Sequence, residues 1–417
     1  MQQELAQNWK HMSREERGLL IAQRFRIKKL EKGYVVPSQS GSGNYLVKMD
    51  ATSERCDCPD YEIRKNKCKH IFAVEYILRG EIDQEGNVIV TKEVRVTYPQ
   101  DWKAYNTAQC NEQRLFMELL HDICQNVEQP RYTFGRPSLP LADMIFTSAL
   151  KVYSTFSLRR FTGMMHIAQE KNHIEKPCTY VTVSNYMREK TITPLLHKLI
   201  QLSSLPLTSI EKDFAVDSSG FSTCRFARYF SFKHGKDMKY RQWLKAHLMS
   251  GVKTNIITGV ELSEEYENDC PRFEPLVRKT AENFTIQEVS GDKAYSSRDN
   301  FSLIDSLGGT AFIPFKSNAT GKSRGSMVWK KMYHYFMLNN QEFLEHYHKR
   351  SNSETVFHMI KSKFKDNLRS KDKIAQFNEI LLKVLCHNIC VVIQEMYELG
   401  ISPQFCLKSP EGVKNVA

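Results

Sequence analysis

The sequence of 417 residues contains no uninterrupted apolar run long enough to span a bilayer. Its best candidate, residues 380–397, is broken by Lys383, His387 and Gln394, and we interpret it as a buried helix. The first ten residues lack the hydrophobic core of a secretory signal. Eleven cysteines, an odd number spread along the chain, do not fit a secreted disulfide framework. We therefore expect a cytoplasmic protein with reduced thiols and no membrane association.

Acidic residues are the scarcer charged class. Lys and Arg number 59 and Asp and Glu number 47, which leaves a formal net charge of +12. A basic excess favours a polyanionic partner or an acidic membrane surface.

The triplet Gly321-Lys322-Ser323 is not part of a P-loop, because Lys316 stands where the first glycine is required. The length predicts two or three domains, each able to bury a core.

Four potential metal ligands lie within fifteen positions. Cys56 and Cys58 are followed, after nine intervening residues, by Cys68 and His70. Three thiolates and one imidazole fill all four positions of a tetrahedral site. We therefore predict a structural zinc ion with no position left for water or substrate.

The residues around these ligands predict a small module. A capping box that begins at Ser13 opens a helix expected to end near Gly33. Strands over residues 34–37 and 45–49 are predicted to form a hairpin, followed by a loop that contains the Cys-x-Cys pair. The other two ligands are placed at the start of an amphipathic helix, whose dipole favours thiolate. The spacing resembles the SWIM zinc finger over residues 34–80, which implies nucleic-acid or protein binding.

Helical periodicity dominates the next segment. The predicted helices cover residues 111–127, 141–153, 158–168, 182–188 and 194–202. Short helices with short links permit a helix-turn-helix, in which residues 182–188 are the candidate reader of the major groove. A plain helical bundle or a dimerisation domain fits the same pattern.

Two aspartates directly follow apolar strands in the third segment. A strand over residues 214–216 ends at Asp217, and a strand over residues 285–291 ends at Asp292. The other predicted elements are strands over 243–250, 254–261 and 310–315 and helices over 271–283 and 298–307. This is the element order of a ribonuclease H-like α/β domain. In that layout the first and fourth strands are adjacent, so the two aspartates meet although 75 positions (292 − 217) separate them.

Basic and aromatic residues alternate between the first two of these strands. This mixture is typical of a nucleic-acid surface, because cations bind phosphates and rings stack on bases. The cations are Arg225, Arg228, Lys233, Lys236, Lys239 and Arg241. The aromatic residues are Phe226, Tyr229, Phe230, Phe232 and Tyr240.

A Tyr-x2-Arg-x3-Glu-x6-Lys pattern follows the fifth strand. Its members are Tyr347, Arg350, Glu354 and Lys361. At about 100° per residue, all four side chains share one narrow face of a single helix. One carboxylate among cations suits a metal ligand that faces a phosphodiester.

Together, Asp217-Ser218-Ser219-Gly220, Asp292-Lys293-Ala294-Tyr295 and the Tyr-Arg-Glu-Lys pattern resemble the DDE transposases of bacterial insertion sequences. The resemblance implies a catalytic triad of Asp217, Asp292 and Glu354 that holds Mg²⁺ or Mn²⁺, two ions about 4 Å apart. It also implies DNA contacts, for which we predict Tyr347, Arg350, Lys361, Lys293 and Lys236. Only 62 positions (354 − 292) separate the last two acids, so the large insertion domain of some relatives is expected to be absent.

These features predict a multidomain α+β protein. Residues 1–95 are expected to form the zinc-finger domain, 96–207 a helical DNA-binding or dimerisation domain, 208–400 a ribonuclease H-like α/β catalytic domain and 401–417 a tail. The resemblance implies a transposase that nicks double-stranded DNA at element ends and joins the 3′-hydroxyl to target DNA. A homodimer on DNA, associated with the bacterial nucleoid, is expected because two ends are cut.

Three other functions remain open at this point. A nuclease of the same fold would share the three acids but would never join strands. A DNA-binding regulator or domesticated transposase would keep the zinc finger and helices with an idle catalytic site. A protein-interaction scaffold would bind its partner with little dependence on salt, unlike a protein that binds phosphates.

Overall fold

A computed structural model describes three stretches of the chain. They are residues 12–78 apart from 26, 31–32, 39–42 and 50–53, residues 101–223 apart from 132–133 and 135–137, and residues 243–405 apart from 404. Contacts divide the chain into two compact units. The first unit contains Met1–Val94 and Pro314–His348, and the second contains Arg95–Ile313 and Lys349–Ala417. The residues just before Lys349 therefore fold with the N-terminal module.

Helices and strands occur in both units. The helices are α1 (Arg14–Arg24), α2 (Pro59–Arg64), α3 (Lys69–Leu78), α4 (Trp102–Cys124), α5 (Leu141–Ser154), α6 (Leu158–Glu170), α7 (Tyr180–Tyr186), α8 (Ile192–Ser204), α9 (Phe273–Ala281), α10 (Arg298–Ser306), α11 (Met327–Leu338), α12 (Asn340–Tyr347), α13 (Ser351–Phe364) and α14 (Lys373–Glu398). The strands are β1 (Lys28–Leu30), β2 (Gly33–Pro37), β3 (Asn44–Met49), β4 (Glu54–Cys56), β5 (Asp213–Ser222), β6 (Trp243–Gly251), β7 (Ile257–Glu264), β8 (Glu288–Gly291) and β9 (Thr310–Phe312). Short 3-10 turns cover Leu205–Leu207, Cys270–Arg272, Lys293–Tyr295 and His348–Arg350.

The first unit contains an antiparallel sheet of order β1-β2-β3-β4. The predicted hairpin is the pair β2 and β3, and the capping box at Ser13 is present. The predicted helix end near Gly33 is wrong, because α1 ends at Arg24 and residues 28–30 pair with β2. Gly33 has a φ of 137°, and a Cβ there would lie 2.5 Å from the Val47 carbonyl oxygen. This glycine thus begins β2, where its positive φ and the close approach of β3 exclude a side chain, and does not end a helix.

One face of this sheet is covered by α3, and α1 packs on α3. Val36 and Val47 are fully buried on the covered face. Gly18 of α1 permits the close helix approach, since a Cβ at that position would lie 2.5 Å from the Cβ of Phe72. In the same unit, Gln23 Nε2 donates a hydrogen bond to the sulfur of Met337 on α11, at 3.2 Å.

The second unit contains a five-stranded sheet of order β7-β6-β5-β8-β9. Strands β5, β6 and β7 form an antiparallel meander, whereas β8 and β9 run parallel to β5. This is the predicted ribonuclease H-like order, and the first and fourth strands of the domain, β5 and β8, are neighbours as expected. Strand β5 extends six residues beyond the predicted 214–216 segment, to Ser222.

Helices α4 to α8 pack with α14 and the sheet around one continuous hydrophobic core. Among the described residues, α14 alone has the length and hydropathy of a membrane span, and 78% of its apolar window is buried inside the protein. Its polar residues bond to neighbouring elements: Asn388 Nδ2 donates to the Ile257 carbonyl at 2.7 Å. The interpretation of residues 380–397 as a buried helix agrees with this packing.

A buried glutamate on α14 makes stability depend on pH. Burial, together with the charges of Glu398 and Glu211 and against that of Lys253, raises the pKa of Glu395 to about 8. Between about pH 4.5 and pH 8, Glu395 loses its proton in the unfolded chain but keeps it in the folded chain. The free energy of unfolding therefore decreases as pH rises through this range.

We expect Glu395→Gln to raise the free energy of unfolding by roughly 2 kcal/mol at pH 8 and to change it little at pH 4.5. Denaturant unfolding at the two pH values measures the effect. Glu189→Gln, at an exposed position of the same unit, is the control. Equal gains at both pH values, or an equal gain in the control, would contradict this account.

Candidate active site and metal centre

Adjacent parallel strands bring the two predicted catalytic aspartates together. Val216 of β5 pairs with Gly291 of β8, and the residues that follow these two in the chain are Asp217 and Asp292, respectively. Asp217 Oδ1 accepts a hydrogen bond from the Ser218 amide at 2.8 Å. Asp292 opens the 3-10 turn that follows β8, and its Oδ1 accepts from the first amide of that turn at 2.6 Å. Local backbone bonds therefore hold both carboxylates in place.

The predicted single helix that carries all four residues of the Tyr-Arg-Glu-Lys pattern is wrong. Helix α12 ends at Tyr347, a 3-10 turn covers His348–Arg350, and α13 begins at Ser351. The tighter 3-10 turn interrupts the regular 100° advance, so spacing alone does not place Tyr347 on the face of Glu354. Tyr347 is buried and belongs to the first unit, whereas the other three residues belong to the second. A DNA contact by Tyr347 stays a prediction.

Arg350 bridges the first and third predicted catalytic acids. Its Nη1 lies 3.3 Å from Asp217 Oδ2, and its Nη2 lies 3.1 Å from Glu354 Oε1. Ser353 Oγ also donates to Asp217 Oδ2 at 3.2 Å. The Arg350 side chain is 11% exposed and that of Glu354 is 55% exposed, so the guanidinium lies inside the site and Glu354 at its solvent edge. The structure thus brings Asp217, Arg350 and Glu354 into one constellation.

Asp217 lies in an environment that opposes its negative charge. Burial raises its pKa, and the neighbouring charge of Asp292 raises it further, while Arg350 acts in the opposite direction. Carboxylate oxygens of this kind are the ligands that Mg²⁺ and Mn²⁺ prefer, so the donor set fits a divalent cation. Within the described residues, however, these three carboxylates do not form a metal cluster as tight as that of the cysteines and His70.

Lys361 contacts the same strand as Asp217. Its Nζ donates to Ser219 Oγ at 2.6 Å and lies 5.3 Å from the centre of the Phe221 ring. Burial lowers its pKa. Lys293 is exposed directly after Asp292. Lys236 and the basic-aromatic segment around it lie outside the described residues.

Sequence reasoning missed a lysine that fastens the 3-10 turn to the sheet. Asp213 and Glu288 are opposite each other on β5 and β8, and Lys349 Nζ binds both carboxylates, at 2.6 and 2.7 Å. This ion-pair set fixes the residue immediately before Arg350. A lysine beside an arginine in a basic chain carries no sequence signal for such a role.

A second polar network supports the sheet end that carries the aspartates. The buried Tyr295 hydroxyl lies 3.4 Å from Nδ1 of His247 on β6. Asp269 accepts from Ser218 Oγ at 3.1 Å and pairs with Lys245 at 2.5 Å. The Tyr295 contact links the turn after Asp292 to β6, and the Asp269 contacts link β6 to Ser218, the neighbour of Asp217 on β5. They were not predicted, because their partners come from separate strands.

The four predicted zinc ligands form one buried cluster in the first unit. Their ligand atoms all lie within 4.8 Å of one another. His70 Nδ1 is 3.8 Å from the sulfur of Cys56 and 3.9 Å from that of Cys68. Tetrahedral zinc with ordinary bond lengths places such atoms about 3.6 Å apart, so the cluster fits zinc closely. One detail differs from expectation: Cys56 is the last residue of β4, and the loop begins only after it.

The charges of the thiols also fit a cation. The pKa of Cys68 is lowered to about 4 by a hydrogen bond from Cys56, with further help from His70 and the Ile71 amide. The same hydrogen bond and burial raise the pKa of Cys56. Three buried thiols cannot all ionise without a positive partner, and zinc supplies that charge.

The sheet order, with Asp217 on its first strand, Asp292 directly after its fourth strand and Glu354 on a later helix, is that of the ribonuclease H-like fold. Comparison with known families agrees. Residues 208–389 match the transposase DDE domain, and residues 45–78 match the SWIM zinc finger. The chain therefore carries a transposase DDE domain behind an N-terminal SWIM zinc finger, which confirms the resemblance seen in the sequence. No curated protein matches the chain.

Proposed function

We propose that this protein is a DNA transposase that cuts double-stranded DNA at element ends and joins the freed 3′-hydroxyl to target DNA. One observation carries the proposal: Asp217 and Asp292 follow paired positions of adjacent parallel strands, and Arg350 ties Asp217 to Glu354. This constellation lies inside the stretch that matches the transposase DDE domain.

Each side chain has a distinct task in this reaction. Asp217, Asp292 and Glu354 would hold Mg²⁺ or Mn²⁺, which supplies activation of the nucleophile and stabilisation of the leaving oxygen. In the absence of DNA, Arg350 balances the negative charges of Asp217 and Glu354. When divalent cations would balance those carboxylates instead, the guanidinium is free to bind the phosphate at the scissile bond. Lys361, tethered to Ser219, places a positive charge beside the flanking phosphate.

The same site serves two steps, which differ in the nucleophile. Water attacks first and frees a 3′-hydroxyl at the element end. That hydroxyl then attacks a target phosphodiester, so one bond forms as another breaks and no external energy source is needed. Because two ends must be processed together, we expect a homodimer on the DNA.

The test uses the DNA that flanks the gene, in which the proposal expects inverted repeats at the element ends. Purified protein is incubated with a labelled duplex from each flank, a supercoiled target plasmid and Mg²⁺ or Mn²⁺. The expected products are a nick at the repeat edge and a labelled strand joined to the plasmid. Cutting without joining would identify a nuclease instead. Specific binding without cutting would identify a regulator and overturn the proposal.

A further inference from the structure

Two consecutive cations contact one face of β5. Side chains alternate between the faces of a strand, and Asp213 and Asp217 point to the same side because four positions (217 − 213) separate them. Lys349 Nζ donates to Asp213 Oδ2 at 2.6 Å, and Arg350 Nη1 lies 3.3 Å from Asp217 Oδ2. The 3-10 turn that carries both cations therefore lies along this face of β5. Lys349 is not a member of the Tyr-Arg-Glu-Lys pattern.

Lys349 binds two carboxylates that would otherwise repel each other. Asp213 and Glu288 are partners in the register of β5 and β8, and Lys349 Nζ lies 2.7 Å from Glu288 Oε2. The three side chains are between 21% and 28% exposed. Burial lowers the pKa of Lys349, but its hydrogen bonds to Asp213 and Glu288 outweigh this and raise the pKa, so the side chain is charged at neutral pH. The turn is thus attached to the sheet by charge-assisted hydrogen bonds that are stronger than those of a surface ion pair.

This attachment lies at the point where the chain enters the second unit. Residues up to His348 belong to the first unit, and Lys349 is the first residue of the returning chain. Arg350 follows directly. Further along, Asn352 Nδ2 donates to the Val252 carbonyl, next to the end of β6, at 2.8 Å. Arg350 therefore lies between two attachments, and Lys349 supplies the one on the side of the first unit.

We propose that Lys349 is a positioning residue: its bonds to β5 and β8 hold the Arg350 guanidinium against Asp217 and Glu354. Its part in DNA cleavage rests on the proposed function. A guanidinium bonded to these carboxylates competes with a divalent cation for them, so a looser Arg350 should allow tighter cation binding. A looser Arg350 should also slow the reaction, since a displacement of about 1 Å near the reacting groups can lower a rate by about 10²-fold.

The test uses two variants of the full-length, zinc-loaded protein that break the attachment from opposite sides. Lys349→Met removes the positive charge, whereas Asp213→Asn with Glu288→Gln removes both negative charges and keeps the lysine. The control is Lys279→Met, which breaks the ion pair of a partly buried lysine with Glu261. Glu261 lies on the edge strand β7, two strands away from β5. Melting temperature and zinc content verify that every variant is folded.

Calorimetry of Mn²⁺ binding without DNA is the first measurement. The two variants change the local charge in opposite directions, so an effect of charge alone would shift the affinity in opposite directions. That direct effect is small, because Asp213 lies about 13 Å from Asp217 along β5 and the screening length at physiological salt is about 8 Å.

We expect both variants to bind Mn²⁺ about threefold more tightly than the wild type, because Arg350 competes less for the carboxylates in both. Lys279→Met should keep the wild-type affinity. Opposite shifts in the two variants, or no shift in either, would overturn the proposal.

The rate of single-turnover nicking at saturating duplex and Mn²⁺ is the second measurement. Both variants should nick roughly tenfold more slowly or worse, while Lys279→Met keeps the wild-type rate. Lys349→Arg retains the charge and can bind both carboxylates, so it should recover much of the rate. An equal loss in Lys279→Met, or a rate in Lys349→Arg as low as that in Lys349→Met, would contradict a positioning role.

These outcomes are separable from those of the proposed function. If the wild-type protein neither nicks nor joins DNA but both variants bind Mn²⁺ more tightly, Lys349 positions Arg350 and the transposase proposal fails. If the wild type nicks and joins and both variants match it in rate and in Mn²⁺ affinity, the transposase proposal holds and Lys349 has no positioning role.

Discussion

Glu354→Gln is expected to stop both nicking and joining, with a loss of at least about 10³-fold in rate. The change keeps the size of the side chain and removes one anionic ligand for the divalent cation. Asp217→Asn and Asp292→Asn should have the same effect. DNA affinity should be retained or should rise, because a negative charge that faces phosphates has been removed.

The geometry makes Glu354→Gln a clean test. The side chain is 55% exposed, and its hydrogen bond to Arg350 is at the solvent edge, so the melting temperature should change little. Mn²⁺ binding by calorimetry gives a readout apart from activity, and the affinity should fall with the rate. Glu345→Gln, at an exposed position of α12, is the control and should leave both quantities unchanged. Wild-type cleavage by Glu354→Gln, or loss in Glu345→Gln instead, would show that the carboxylate assignment is wrong.

Cys58→Ser is expected to release zinc and to unfold the first unit. The cluster is buried and joins the end of β4 to the starts of α2 and α3. Because α2 buries no residue of its own, loss of a ligand removes a contact that holds these elements together. Structural zinc contributes on the order of 10 kcal/mol of apparent binding free energy in small fingers. The effect should include α11 and α12, because residues 314–348 belong to the same unit.

Hydrogen exchange with mass spectrometry shows which residues lose amide protection when the zinc ligand is removed. Amides of residues 12–78 and 327–347 should exchange faster in Cys58→Ser, while those of β5, β6 and α14 should keep their protection. Cys110→Ser, at an exposed cysteine of α4, is the control. Freshly purified protein without zinc, or unchanged exchange at residues 327–347, would disprove this prediction.

Short-range spacing was enough for the sequence to determine several features by itself. The Cys-x-Cys and Cys-x-His pairs place their ligands on adjoining turns and helix starts, so the zinc cluster follows from local geometry. Apolar runs that end in Asp217 and Asp292 predict strands, and the order of strands and helices predicts the sheet order. These inferences hold because periodicity and turn residues act over a few positions.

Only the tertiary structure decided which side chains meet across long distances in the chain. Arg350 reaches Asp217 over 133 positions and Lys361 reaches Ser219 over 142 positions, contacts that no local pattern encodes. The break between α12 and α13 and the packing of residues 314–348 with the N-terminal module were likewise not predictable. Both depend on how buried surfaces from separate segments fit together, and the free energy of that packing outweighs the local helical periodicity that predicted one continuous helix.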